Sequence, residues 1–315
     1  MRFGIIGTGR IAGRFVPECQ SVPDAEIAAV YNPHEGSAGS FTSRIWQEEG
    51  SEKPAALSDI TALWDKVDAV YIASPHETHY EYIMQALDKG KHVLCEKPMV
   101  LNQGQAVTAF DRASNDGLIL TEGLKTAFCP GYKRVKDIAE SGVIGDIRYV
   151  DACFTKLEDK ARRELTDAAY GGSFTELGSY VLLPALELLG TVYEGIAFES
   201  ITDDRGIDLF TKTSISYGKA MATLTCGLGV KSEGRLLIGG TKGYIRVEAP
   251  WWKTERIEVH FENPSDMVEY NESFEGDGLR YEIDQLVKRI PGNKDVSISM
   301  AGIMEMFLGK RGSEK

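Results

Sequence analysis

Along the first 120 residues, short apolar runs alternate with segments whose apolar residues recur at helical spacing. Residues 2–6, 26–31, 69–73, 92–95 and 118–120 read as buried strands. Residues 10–21 suit a helix that must accommodate Pro17. Tyr82, Ile83, Ala86 and Leu87 form a helical stripe that stops at Gly90, a good residue just past a helix end. Phe110 and Ala113 belong to a further helix. Strand and helix alternate about every 25 residues, which predicts a doubly wound parallel sheet with helices on both faces.

Beyond about residue 145 the pattern changes. Residues 209–217 and 221–228 are β-rich runs around Gly218-Lys219, and 235–238 and 244–247 flank a Gly-rich turn. Both pairs predict antiparallel hairpins. Residues 281–290 and 300–308 read as closing helices, with a frayed tail from 309 to 315. The expected organisation is an α/β domain over 1–121 and an α+β domain over 122–315.

Composition narrows the function classes. Apolar residues make up 43% and charged residues 26%, ample for globular cores. The net charge of −12 disfavours sequence-independent nucleic-acid binding and anionic membrane surfaces. The five cysteines lack CxxC spacing and the five histidines lack HxH or HxxxH spacing. Reduced thiols and no metal site are expected. No run approaches signal-peptide or membrane-span length, so a cytoplasmic location is expected.

Gly7-x-Gly9-x-x-Ala12 follows the first strand and opens the first helix, matching the G-x-G-x-x-G/A dinucleotide fingerprint. Gly7 permits the tight turn, Gly9 admits a pyrophosphate, and Ala12 lets helix and strand approach. Thr8, Arg10 and Ile11 complete the turn. A ribose-reading residue is expected about 20 positions on, where Asn32 stands. Asn bonds a hydroxyl without repelling phosphate, and no Arg occupies 32–34, so NAD and NADP both remain open.

Taken with "AVYIASPHETH" at 69–79, "GKHVLCEKP" at 90–98, "SGVIGDI" at 141–147, "GGSFTELGSY" at 171–180 and "GTKGYI" at 240–245, the chain resembles the Gfo/Idh/MocA oxidoreductase family. Position 180 is tyrosine, as in its dihydrodiol dehydrogenase-like branch. The resemblance implies a Rossmann domain followed by a domain built on a large, open antiparallel sheet. It also implies NAD or NADP as cofactor and hydride transfer at a secondary alcohol or carbonyl of a sugar, cyclitol or diol. A homodimer or homotetramer is implied too. An NAD-dependent glycosidase and a non-catalytic NAD(P)-binding regulator are the alternatives within the same fold.

The resemblance puts Lys97 beside the nicotinamide and the reacting oxygen, where an ammonium polarises a carbonyl or binds an alkoxide. Glu96 then tunes the lysine and borders the cofactor, and Pro98 fixes the turn. Glu176 and Tyr180 lie four apart, so a helix puts them on one face. Glu176 stands where the family commonly has Asp, and Tyr180 replaces the frequent histidine. Both are expected to bind substrate, with Tyr180 as proton donor. Ser74 and His76 follow a strand end that lines the cofactor crevice in such folds. His79 is a weaker candidate and equally a local packing residue. Lys125 is an expected substrate contact, and Trp251 and Trp252 are sugar-pocket or packing residues.

Overall fold

The computed structural model describes residues 1–47 and 53–313. In chain order the elements are β1 (Arg2–Ile6), α1 (Arg10–Gln20), β2 (Glu26–Tyr31), α2 (Ser37–Ile45), β3 (Ala55–Leu57), β4 (Ala69–Ile72), α3 (His79–Asp88), β5 (His92–Glu96), α4 (Gln103–Asn115) and β6 (Leu120–Gly123). Next come α5 (Pro130–Glu140), β7 (Ile147–Thr155), α6 (Ser173–Leu189), β8 (Gly195–Thr202), β9 (Asp208–Ser216) and β10 (Met221–Gly227). The chain continues through β11 (Leu236–Gly240), β12 (Gly243–Val247), β13 (Arg256–Phe261), β14 (Met267–Asn271), α7 (Leu279–Val287) and α8 (Lys294–Ser313).

The first unit comprises Met1–Lys125 and Gly276–Ser297. Its six strands run in the order β3-β2-β1-β4-β5-β6, every neighbouring pair parallel. Continuous apolar runs suit strands covered on both faces, and β4 is buried throughout. The chain order reverses between β1 and β4, which opens a crevice at their carboxyl ends. Beneath that crevice Phe15 stacks on Tyr71 with ring centroids 3.9 Å apart.

The first unit does not end where the sequence pattern changes. Residues 276–297 were expected in the second domain, yet they return to the first. The cause is an apolar stripe on α7. Leu279, Ile283 and Leu286, spaced i, i+4, i+7, join one buried cluster with Phe3, Phe15, Tyr71 and Leu94. One carboxylate fixes the entry of α7. Glu18 of α1, 4% exposed, accepts bonds from the N–H groups of Asp277, Gly278 and Arg280 at 3.1 Å each. It also takes the Arg280 guanidinium two-pronged, at 3.2 and 2.9 Å. Gly276 leaves room for it, since a Cβ there would stand 2.0 Å from Oε1 of Glu18.

The second unit is Thr126–Glu275 with Ile298–Lys315. Its eight-stranded sheet runs β14-β13-β12-β11-β7-β10-β9-β8. Only β7 and β10 pair in parallel; the other neighbours are antiparallel. Both predicted hairpins form, as β9–β10 and β11–β12. α6 lies on β7, β9 and β10. Several boundaries differ from expectation: the closing helices expected at 281–290 and 300–308 run over Leu279–Val287 and Lys294–Ser313. The strand read at 118–120 begins at Leu120, because Gly117 in left-handed conformation and a Leu118 N–H bond to Ala113 still finish α4. The tail is helical through Ser313, and residues 314 and 315 lie outside the described residues.

Burial pushes the Glu18 carboxyl up, but the Arg280 and backbone donors outweigh it and hold it below the ordinary value. Its contribution is therefore full above the unfolded-state value and is lost as pH falls through the lower folded one. Glu18→Ala should cost roughly 3 kcal/mol in urea unfolding at pH 7, with a smaller difference from wild type at pH 3. Superposable unfolding curves at pH 7 would show that the cage contributes nothing.

Candidate active site

The glycine turn follows β1. Gly7 has φ +107°, and a Cβ there would sit 2.5 Å from the Ala73 carbonyl oxygen, so only glycine fits. Gly9 is extended and caps α1. A Cβ on it would meet nothing within 4 Å, which leaves a cradle open against the backbone. No side chain caps α1, and its first turn carries no acid. A helix start without a side-chain cap, its positive dipole end and that cradle fit a pyrophosphate. Thr8 Oγ1 accepts from Asn32 Nδ2 at 2.9 Å, and Asn32 Oδ1 accepts from the His34 N–H at 2.9 Å. Asn32 thus ties the turn to the end of β2. Arg10 is exposed, and Ile11 packs against the core.

After β4, Ser74 and Thr78 share a hydroxyl contact of 2.7 Å, and half-buried His76 meets His79 edge-to-face at 5.7 Å. His79 is fully buried. Its Nε2 lies 2.9 Å from the Ser74 carbonyl oxygen and its Nδ1 lies 3.0 Å from that of Pro98. Burial lowers its pKa, against the pull of these carbonyls. The ring clips the loop after β4 to the loop after β5. This is a positioning task, which helical periodicity alone does not reveal.

Glu96 ends β5, Lys97 follows half-buried, and the Lys97–Pro98 peptide is cis. The Tyr71 hydroxyl donates to Glu96 Oε1 at 2.5 Å, and the Met99 N–H donates to buried Glu122 at 3.1 Å. Lys97 therefore stands among His79, Glu96 and Glu122. Burial pushes both carboxyls up, against the pull of this lysine. Lys125, just past β6, donates to the Asp277 carbonyl oxygen at 2.5 Å. Sequence reasoning missed Glu122, and also Glu282 of α7, 1% exposed and close enough to interact electrostatically with Glu96. A lone glutamate in each element carried no signal of its neighbours.

In the second unit α6 carries Glu176 in its first turn and Tyr180 one turn on, both half-buried. Tyr180 meets Phe154 edge-to-face at 5.0 Å, and Phe154 stacks flat on Trp252 at 3.5 Å. Trp251 is core: fully buried, with its indole N–H on the Cys153 carbonyl oxygen at 2.9 Å. The α6 N-terminus is capped from afar. Asp208 of β9 accepts from the Phe174 N–H at 2.7 Å and the Thr211 hydroxyl at 2.8 Å. Arg311 donates to the Gly171 carbonyl oxygen at 2.8 Å. Gly172, φ +111°, is required because a Cβ would stand 2.0 Å from Asp208 Oδ1. Burial raises the Asp208 carboxyl to about 6 against these donors.

Two family patterns match the chain: an oxidoreductase family with an NAD-binding Rossmann fold over residues 1–124, and the Gfo/Idh/MocA C-terminal domain over 132–246. The chain is 30% identical over 275 residues to the scyllo-inositol 2-dehydrogenase (NADP(+)) IolU of Bacillus subtilis, covering 83% of this chain and 80% of that one. It is 27% identical over 290 residues to human trans-1,2-dihydrobenzene-1,2-diol dehydrogenase, covering 90% and 86%. The fold is shared with KijD10, a 3-ketoreductase from Actinomadura kijaniata solved with NADP and TDP-benzene, at TM-score 0.81 and 24% identity over 97% of this chain and 96% of that one. With its parallel sheet, glycine turn and Glu96-Lys97-Pro98, the chain belongs to the Gfo/Idh/MocA family and is an NAD(P)-dependent oxidoreductase acting on CH–OH groups.

Proposed function

We propose that the chain interconverts a secondary alcohol and its ketone on a polyol, cyclitol, diol or sugar, with NADP as its preferred dinucleotide. One observation carries the reading. The glycine turn, Ser74 and Lys97 follow β1, β4 and β5, three adjacent strands of one parallel sheet, at their carboxyl ends. The nicotinamide supplies the hydride acceptor or donor. In the reducing direction the Lys97 ammonium bonds the ketone oxygen and gives up a proton as the alkoxide forms. In the oxidising direction the neutral amine takes the hydroxyl proton. Tyr180 is proposed as a proton donor to substrate, and Glu176 to orient substrate or tyrosine. Gly7, Thr8, Gly9, Arg10, Ile11, Asn32, Ser74, His76 and Glu96 are assigned to the dinucleotide, and Lys125 to substrate or to support of α7.

NADP is favoured because the end of β2 carries Asn32 rather than a carboxylate that would repel a 2′-phosphate. The NADP(+) in the name of IolU and the NADP bound to KijD10 support it. The substrate class follows the inositol and diol named for the two relatives. A cytoplasmic location is proposed from five unpaired, buried cysteines. A homodimer or homotetramer rests on family resemblance.

Lys97→Ala should lower kcat on the best polyol of a panel by about 100-fold or more. Turnover within about threefold of wild type would remove Lys97 from the proton transfer. Gly9→Ala should keep its melting temperature yet bind NADPH about tenfold or more weakly, because the added methyl fills the cradle. Gly7→Ala should lose stability instead, as its Cβ meets backbone. Fluorescence titration should find NADPH tighter than NADH, and the reverse order would overturn the cofactor preference.

A further inference from the structure

In a dinucleotide-binding sheet the residue at the end of β2 is expected to meet the ribose directly. In this chain Asn32 stands there with both ends of its amide already engaged. Its Nδ2 donates to Thr8 Oγ1 at 2.9 Å, across 24 positions of sequence. Its Oδ1 accepts from the His34 N–H at 2.9 Å, which closes a local turn. The backbone N–H of Asn32 donates to the Leu57 carbonyl oxygen of β3 at 3.1 Å. Next to it, the Gly7 N–H donates to the Tyr31 carbonyl oxygen at 2.9 Å. Two bonds thus join the end of β2 to the glycine turn, and one of them is made by the Asn32 side chain.

The sense of that side-chain bond carries the chemistry. The His34 N–H requires the amide oxygen, so the NH2 end is the one that faces Thr8. An NH2 group only donates, so Thr8 Oγ1 accepts and its own hydrogen is left to give. Among the described residues no acceptor takes that hydrogen. Thr8 sits half-buried between Gly7 and Gly9, in the turn whose cradle fits a pyrophosphate. A hydroxyl donor in that turn suits an anion. A carboxylate at position 32 would reverse the bond, because it only accepts and would take the Thr8 hydrogen for itself.

We propose that Asn32 is a positioning residue of the dinucleotide site: it acts through Thr8, presenting that hydroxyl as a donor to the pyrophosphate, and does not itself read the ribose 2′ group. The inference rests on the reading of the glycine turn as the pyrophosphate seat. Asn32 then favours NADP only by not being a carboxylate, and it strengthens the hold on either dinucleotide alike.

Fluorescence titration tests this without turnover. Asn32→Ala and Thr8→Val should each weaken NADPH and NADH alike, by about fivefold. The double variant should bind no worse than either single one, because both remove the same bond. Thr8→Ser keeps the hydroxyl and should stay within about twofold of wild type. Asn32→Asp separates the two roles. A carboxylate that reads the ribose tightens NADH and weakens NADPH. One that captures the Thr8 hydrogen weakens both, which is the expected result.

Tighter NADH binding by Asn32→Asp overturns the proposal. So do losses that multiply in the double variant, or a change of more than about threefold in the NADPH-to-NADH ratio of Asn32→Ala. Wild-type affinity in folded Thr8→Val overturns it too, and that variant decides the matter should the Asn32 variants not fold. Gly9→Ala tells the two readings apart. Normal NADPH binding there means that the seat is misassigned, whereas with the seat upheld the Thr8 and Asn32 variants alone judge the positioning role.

Discussion

Much of the first unit depends on one buried carboxylate meeting one helix end. A helix begins with N–H groups that its own turns cannot satisfy, and an interior helix start must find acceptors elsewhere. Here the acceptor is Glu18, more than 250 residues earlier in the chain. Three N–H groups and a guanidinium converge on its two oxygens, which makes a buried charge tolerable. Were α7 shifted by one turn, both the charge and the helix end would be left unsatisfied.

That constraint sets the electrostatics of the sheet edge. Once α7 is fixed, Glu282 stands near Glu96, and the Asp277 carbonyl oxygen reaches Lys125. The crevice therefore has two chemically different sides. At the start of α1 there is no side-chain cap and no acid in the first turn, which suits phosphate. At the end of β5 there are carboxyls around a lysine, suited to moving a proton. His79 joins the loops that carry Ser74 and Pro98, so geometry is shared across the edge. In the second unit Asp208 plays the part that Glu18 plays in the first, holding the start of α6 from a distant strand.

The alternation of strand and helix, the glycine turn and both hairpins were legible because each is a local pattern. Gly7 shows why: its conformation is demanded by the turn it makes. The helix expected over 281–290 carried no sign of which core it would enter, since periodicity names a face and not its partner. Glu18, between exposed Pro17 and buried Cys19, reads as an ordinary helix-surface acid. β3, three residues long, was too short to register. Glu96-Lys97-Pro98 was legible as a motif, but its neighbours Glu122 and Glu282 arrive by tertiary structure alone. The Trp251-Trp252 pair divided: Trp251 fills the core and Trp252 backs Phe154.

The chain path of the first unit has a consequence during synthesis. Its sheet strands are complete once Gly123 has emerged, yet the partner of Glu18 lies beyond an inserted 150-residue unit, Thr126–Glu275. At about 5–20 residues per second, translation of that stretch takes roughly 8–30 s. Through that interval the nascent domain exposes the apolar ground that α7 will cover, and Glu18 faces water without its arginine. The dinucleotide-binding half is therefore begun first and finished last. Its final closure waits until the residues beyond Glu275 have been synthesised.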